Sequence, residues 1–233
     1  MRILALETSG RLGSIALLQS GGDGVTGLLA ERQLPADQRT ARSLLPEIQT
    51  LLADHSWRPA DVELICATTG PGSFTGLRIG VVAAKTWAYA TAAHLMGVHT
   101  LAAMAEGAGV ARGRLWAVLD AQRQELFVAA LDMGRPIVEQ CVPQTEILPR
   151  AEWLGRLLPG DSVCGPPLAK LVGQLPAGVV VAHGAGCSPS AAAVGRLGAA
   201  MFARGMGVDP LQLAPQYYRP SAAEEKAGAS ADN

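Results

Sequence analysis

The chain has 233 residues, 49% of them hydrophobic, and a formal net charge of -1 at pH 7. That length and apolar content can bury a real core as one large domain or two small ones. The near-zero charge gives no overall electrostatic attraction for nucleic acid or an anionic membrane, which leaves room only for a local basic patch.

The cysteines Cys66, Cys141, Cys164 and Cys187 lie far apart without a CxxC pair or a Cys/His cluster. They indicate neither a zinc site nor a disulfide framework and are expected as reduced core thiols. The N-terminus lacks the apolar region of a signal peptide, and no apolar run approaches a membrane span, so a cytoplasmic location is expected.

In chain order, "RILALET" (Arg2 to Thr8) and "SIALLQS" are short apolar runs separated by the turn chemistry of "SGRLG", which predicts two strands joined by a hairpin. "GVTGLLAERQL" offers a third strand. From about Gln38 the period becomes helical, with Leu44, Leu45, Ile48, Leu51 and Leu52 on one face; Pro46 predicts a late start or a kink in the first turn. "VELICATT" returns to a buried strand, and a second helix runs from the turn "GPGSFTG" to about Ala92. A small helical segment follows around Leu101 to Ala111.

"RLWAVLDAQRQELFVAALD" then begins a second strand pair that resembles the first. Each pair has an apolar strand ending in a carboxylate, Glu7 or Asp120, then a polar turn and another apolar strand. "PIVEQCV" is expected as a third strand, "AEWLGRLL" as a helix, "DSVCG" and "GVVVAHG" as short strands, and "SPSAAAVGRLGAAMFARG" as a terminal helix. The fold class is therefore α/β, with two duplicated halves over 1–111 and 112–220, each a mixed sheet with flanking helices, and a mobile tail over 221–233.

The glycine-rich turn follows a strand and opens a helix, the usual setting for a phosphate. Gly70, Gly72 and Gly76 do not satisfy GxGxxG, however, and the GK[ST] ending of a P-loop is missing. Ser73 or Thr75 serves as the N-cap. With Thr75 as cap, Arg78 falls at the third helical position, where a cation opposes the macrodipole and calls for an anionic partner, a carboxylate before a bound phosphate. Along the same helix Gly76, Gly80, Ala84 and Ala88 form a small-residue stripe, suited to close approach by this chain's own sheet or by a partner helix.

Catalytic equipment is sparse. His55, His94, His99 and His183 are isolated and are expected on the surface or in loops. No G-x-S-x-G elbow activates a serine, and no metal-ligating cluster is spaced for an ion. Glu7 and Asp120 are the best carboxylate pair, able to hold metal and phosphate across a cleft if the halves face each other, or else solvated strand ends.

"MRILALETS", "RSLLPEIQTLL", "GPGSFTGLRIG" and "LDAQRQELFVAAL", in this order, resemble the TsaB (YeaZ) family over most of the chain, and "PLQLAPQYYRP" is similar to that family's closing segment. The resemblance implies the actin, sugar kinase and Hsp70 (ASKHA) fold and a scaffold that pairs with TsaD through its first two helices, with the ATPase TsaE joining the complex. It implies N6-threonylcarbamoyladenosine synthesis on tRNAs that read codons beginning with A, with tRNA reached indirectly through the complex. Carried onto this chain, the pairing surface falls on Ser43, Leu44, Glu47, Ile48 and Leu51 and on Gly76, Gly80, Ala84 and Ala88. The isolated chain is expected to homodimerise through the same surface. No intrinsic cofactor is expected; ATP or ADP with magnesium at the partner interface is the one left open, with Glu7, Arg78 and Asp120 as the nucleotide or anion contacts. The runner-up function is an ASKHA-type ATPase or small-molecule phosphotransferase. Two departures stand out: Thr40 occupies the place where the family commonly has His before Pro46, and Glu7 replaces the more usual Asp.

Overall fold

Two five-stranded sheets carry the chain, described over residues 1–21, 25–182 and 188–219 of a computed structural model. In the first sheet, β1 (Arg2–Glu7), β2 (Ser14–Ser20) and β3 (Thr26–Gln33) form an antiparallel meander. On the other side of β1, β4 (Leu64–Gly70) and β5 (His94–His99) add in parallel. The second sheet repeats the plan. Its strands β6 (Arg114–Asp120), β7 (Glu125–Asp132) and β8 (Glu146–Pro149) are antiparallel, while β9 (Ser162–Cys164) and β10 (Val180–Val181) run parallel beside β6. Counted from its own first strand, each sheet has the order 3-2-1-4-5. The duplication anticipated from the two strand pairs is thus a duplication of topology, and it is the ASKHA arrangement.

Strand side chains alternate between faces, and β1 uses both faces for core. Leu4 and Leu6 meet Leu44, Ile48 and Leu51 of α1 (Thr40–Asp54) and Val81 and Ala84 of α2 (Phe74–Thr91). Ile3 and Ala5 point the other way, into a cluster that holds α3 (Thr100–Gly107) and α6 (Ala191–Ala203) together with Leu115, Ala117 and Ala129 of the second sheet. The outer face of that second sheet is covered by α4 (Arg150–Arg156) and α5 (Leu168–Leu171), where Trp153 and Leu168 pack on Trp116 and Val128. The order of layers is α1 and α2, first sheet, α3 and α6, second sheet, α4 and α5.

Three expectations change. α1 begins at Thr40, six residues before Pro46, because Pro46 and Arg42 lie on the exposed side, where the carbonyl that proline leaves unpaired meets solvent. "PIVEQCV" is a turn of 3-10 helix at Ile137–Gln140 rather than a strand; the Gln140 side chain closes it by accepting from Asp132 N at 2.9 Å and donating to Asp132 O at 2.8 Å. The edge position is taken by β8 instead. Lastly, α6 follows the second sheet in sequence but packs on the first. Gly195 and Gly198 let it close on Leu18 and Cys66, and Ala191 N donates to Ser14 Oγ at 2.9 Å.

Cys66, Cys141 and Cys164 are buried and none is in a disulfide, as expected, and burial pushes the Cys66 thiol pKa up. Cys187, His183 and the tail over 221–233 lie outside the described residues. Among the described residues no helix is long and apolar enough to cross a membrane.

Candidate functional site

The turn that opens α2 is locked from two sides. Ser73 N donates to Ser9 O at 2.7 Å, and a side chain at Gly72, whose φ is 155°, would meet Ser9 Cβ at 2.6 Å. Gly70, with φ 135°, lies against the Gln216 carbonyl, and Gln216 N donates to Thr69 O at 2.7 Å. The glycines are therefore needed for dihedral freedom and for close approach of two backbone segments. Ser73 is the N-cap and accepts from Gly76 N at 3.2 Å, so Thr75 is not.

The small-residue stripe faces inward. A Cβ at Gly76 would overlap the Thr8 carbonyl oxygen, one at Gly80 would overlap Thr8 Oγ1, and Ala84 and Ala88 are buried in the cluster under the first sheet. The close approach that the stripe permits is intramolecular, seating α2 on β1. Ser43, Leu44, Ile48 and Leu51 of α1 are likewise buried in the chain's own core, and Glu47 pairs with Arg32 at 3.3 Å. The residues named for the pairing surface are thus also core residues of this chain, apart from Glu47, and Leu44 borders the groove described next.

The outward faces of α1 and α2 enclose an apolar groove of about 620 Å³, lined by Leu45, Gln49, Ile79, Val82, Ala83 and Thr86 among others. Val82 is 60% exposed and Leu45 49%, so the groove presents large side chains to solvent. A signal for it exists in the sequence: from Leu77 to Ala90, α2 carries only Arg78 and Lys85 as charges, and a helix apolar all round buries two faces.

Beside this groove a larger cleft of about 1100 Å³ opens between the halves. Its walls are the β1–β2 turn (Ser9, Gly10, Arg11), the starts of α1 and α2, the β6–β7 turn (Asp120 to Arg123) and the C-terminal stretch Gln216 to Arg219. Glu7 is not on its surface. It is fully buried, accepts from Ser9 N at 2.6 Å and from Ser9 Oγ, and keeps Oε2 without a partner. Desolvation pushes its pKa up to about 7, against the opposing hydrogen bonds from Ser9. Asp120 is about half exposed, accepts from Gln122 N at 3.0 Å and lies 3.8 Å from Arg150. Equivalent strand ends therefore do not converge as a carboxylate pair, and among the described residues no group of three His, Cys, Asp or Glu could hold a metal. These residues do not fit a magnesium site.

Arg78 has no carboxylate partner among the described residues. Its guanidinium lies 3.9 Å from the Phe74 ring centroid, Nε donates to Tyr217 Oη at 2.9 Å, and the two rings stack at 4.5 Å. A delocalised cation against aromatic faces replaces the ion pair. His99 also departs from expectation, being buried and placed near Tyr218 Oη at 2.9 Å and Thr145 Oγ1 at 3.2 Å; desolvation lowers its pKa to about 4. His94 is exposed at the start of β5, and His55 Nδ1 lies 2.9 Å from Leu51 O at the end of α1.

The C-terminal stretch ties these regions together. Lys85 Nζ donates to Leu211 O and Leu213 O at 3.1 and 3.0 Å, Tyr217 reaches α2, and Arg219 pairs with Glu125 of the second sheet while donating to Ala121 O.

A family model described as "TsaD: tRNA N6-adenosine threonylcarbamoyltransferase" matches residues 34–156, more than half of the chain. The Bacillus subtilis tRNA threonylcarbamoyladenosine biosynthesis protein TsaB is 30% identical over 161 residues, which are 69% of this chain and 68% of that protein. The chain belongs to the TsaB/YeaZ family. The Escherichia coli TsaB is 35% identical over 131 residues, 55% of this chain and 54% of that protein. The structure of YeaZ from Pseudomonas aeruginosa superposes with a TM-score of 0.70 at 25% identity, covering 93% of this chain and 99% of that one. Both helices of the groove and the β6–β7 turn of the cleft fall within the stretch matched by the family model.

Proposed function

We propose that the chain is a non-catalytic scaffold and activator subunit that pairs with a TsaD homologue through the groove between α1 and α2, with a TsaE homologue joining the pair. Relatives named for tRNA threonylcarbamoyladenosine biosynthesis support a role in that process. The finer reading is activation of N6-threonylcarbamoyladenosine formation at position 37 of tRNAs that read codons beginning with A, the tRNA being bound through the complex. In isolation a second copy covers the same groove. The observation that carries this reading is the apolar groove itself, in which Leu45 and Val82 stay exposed between two helices whose other faces are fully committed to the core.

An ASKHA-type ATPase or phosphotransferase is the weaker reading, because Glu7 is sealed away and Asp120 is engaged by Gln122 and Arg150. Introducing Val82→Asp and Leu45→Asp tests the scaffold directly. A carboxylate buried in an apolar interface without a partner costs several kcal/mol, so co-purification with the TsaD homologue and threonylcarbamoyl transfer are expected to fall together, while the melting temperature of the isolated chain holds. Unchanged complex mass and undiminished transfer in the double variant would reject the groove as the pairing surface.

A further inference from the structure

We infer, taking the groove between α1 and α2 as the pairing surface, that Tyr217 is a positioning residue for docking: it fixes the Arg78 guanidinium at one end of the groove, where the docked TsaD homologue presents a carboxylate.

Arg78 is the one charged residue among the described residues that line the groove. The other walls are apolar side chains with Gln49, Thr86 and Thr91 between them. Arg78 is exposed and bonds through Nε alone, so among the described residues its two terminal nitrogens have no acceptor. An apolar partner helix that covered this end without an acceptor would strand an unpaired cation away from water. A carboxylate relieves that cost best, because it takes two parallel N–H···O bonds from one guanidinium edge.

Arg78 differs from an ordinary surface arginine in how firmly it is held. Its guanidinium carbon lies 3.9 Å from the Phe74 ring centroid, Phe74 stacks on Tyr217 at 4.5 Å, and Nε donates to Tyr217 Oη at 2.9 Å. Phe74 stands one turn earlier on the same helix and reaches Arg78 by helical spacing alone. Tyr217 comes from the far end of the fold and has to be delivered.

The C-terminal stretch over 211–219 delivers it. Immediately before Tyr217, Gln216 N donates to Thr69 O at 2.7 Å, with Gly70 lying against the Gln216 carbonyl. Just after it, Tyr218 Oη lies 2.9 Å from His99 Nε2, and Arg219 pairs with Glu125 while donating to Ala121 O. Further back, Leu213 is buried against Gly97, where a Cβ would come within 2.5 Å of Leu213 Cδ1, and Lys85 of α2 holds the carbonyls of Leu211 and Leu213. Tyr217 is therefore fixed from both sides. A long arginine side chain gives up rotamer freedom when it enters an interface, and here that freedom is already lost within the chain, which favours docking by preorganisation.

The affinity of the full chain for the TsaD homologue, measured by titration calorimetry alongside the melting temperature of each variant, tests this. Arg78→Gln is expected to weaken pairing at least about tenfold, in line with the loss of a charge-assisted hydrogen bond. Arg78→Glu should weaken it further, since two carboxylates then meet. Tyr217→Ala should weaken pairing in the parent chain but add little in a chain that already carries Arg78→Gln, because it acts through Arg78. Tyr217→Phe keeps the ring stack and should recover part of that loss. Arg156→Gln, at a residue paired with Glu146 and Glu152 in the second half, should leave pairing unchanged. Parent affinity in both Arg78 variants, Arg78→Glu pairing as well as Arg78→Gln, or an equal loss from Tyr217→Ala with and without Arg78→Gln would each overturn the inference. The Leu45→Asp and Val82→Asp double variant separates the two failures. Pairing lost there but intact in the Arg78 variants removes the part assigned to Arg78 and Tyr217 and keeps the groove, whereas pairing kept in the double variant removes the groove and their part with it.

Discussion

Glu7 and Asp120 end the first strands of two sheets built to one plan, yet Glu7 is fully buried and Asp120 is about half exposed. The cause is what covers each strand end. In the first sheet the start of the 18-residue helix α2 presses Gly72 and Gly76 onto Ser9 and Thr8, closing over the end of β1. The second sheet has helices of seven and four residues in the corresponding layer, and its β6–β7 turn stands open with Gln122, Arg123 and Gln124 at positive φ. Duplication fixed the topology of the strands, while the length and seating of the covering helices decided the chemistry at their ends.

Unseating α2 breaks the comparison most severely. At Gly80→Leu the new side chain enters the space of Thr8 Oγ1, and overpacking of this kind costs roughly 1–3 kcal/mol or more. Thermal and denaturant unfolding should show a large drop in stability of the isolated chain, before any partner is added. The contrasting change in the second half is Gly155→Ala in α4, where a Cβ meets nothing within 4 Å. Relief of helical glycine makes that variant neutral or more stable by up to about 1 kcal/mol. Equal losses in the two variants would remove the argument that close glycine seating sets α2 apart from α4.

A smaller but still large effect comes from the buried carboxylate. Glu7 ionises near 4.5 in the unfolded chain and at about 7 in the folded one. Between those values the unfolded state gives up its proton first, so stability is fully present below about pH 4.5, falls as pH rises, and reaches its loss of about 3 kcal/mol above pH 7. Glu7→Gln removes the ionisation. Its advantage over the parent should therefore be near zero at pH 4 and grow to at most that amount by pH 8, read from paired unfolding curves. A pH-independent difference would mean that Glu7 is not protonated in the fold.

Much of this architecture was legible because it rests on local periodicity. Short apolar runs bounded by turn chemistry located β1, β2, β6 and β7, the 3.6-residue period located α1, and α2 was located by the glycine turn that opens it. The features that escaped depend on contacts far apart in sequence. α2 is apolar around most of its circumference, so the stripe Gly76, Gly80, Ala84 and Ala88 could face a sheet or a partner until Thr8 was seen beneath it. Arg78 finds Tyr217, 139 residues away, and α6 leaves the second sheet to pack on the first. Glu7 and Asp120 look alike in sequence because the strands that carry them are alike; the residues that bury one of them belong to another element.

The least disruptive substitution tests that last point most directly. Asp120→Asn keeps an oxygen to accept from Gln122 N and gives up a 3.8 Å pairing with Arg150 between side chains that are 51% and 34% exposed. Solvent screens such pairs, and the change should stay within about 0.5 kcal/mol at low and neutral pH alike. If Asp120→Asn instead reproduced the steep pH-dependent gain expected of Glu7→Gln, the two strand ends would share one environment, and differential covering by helices could not account for their chemistry.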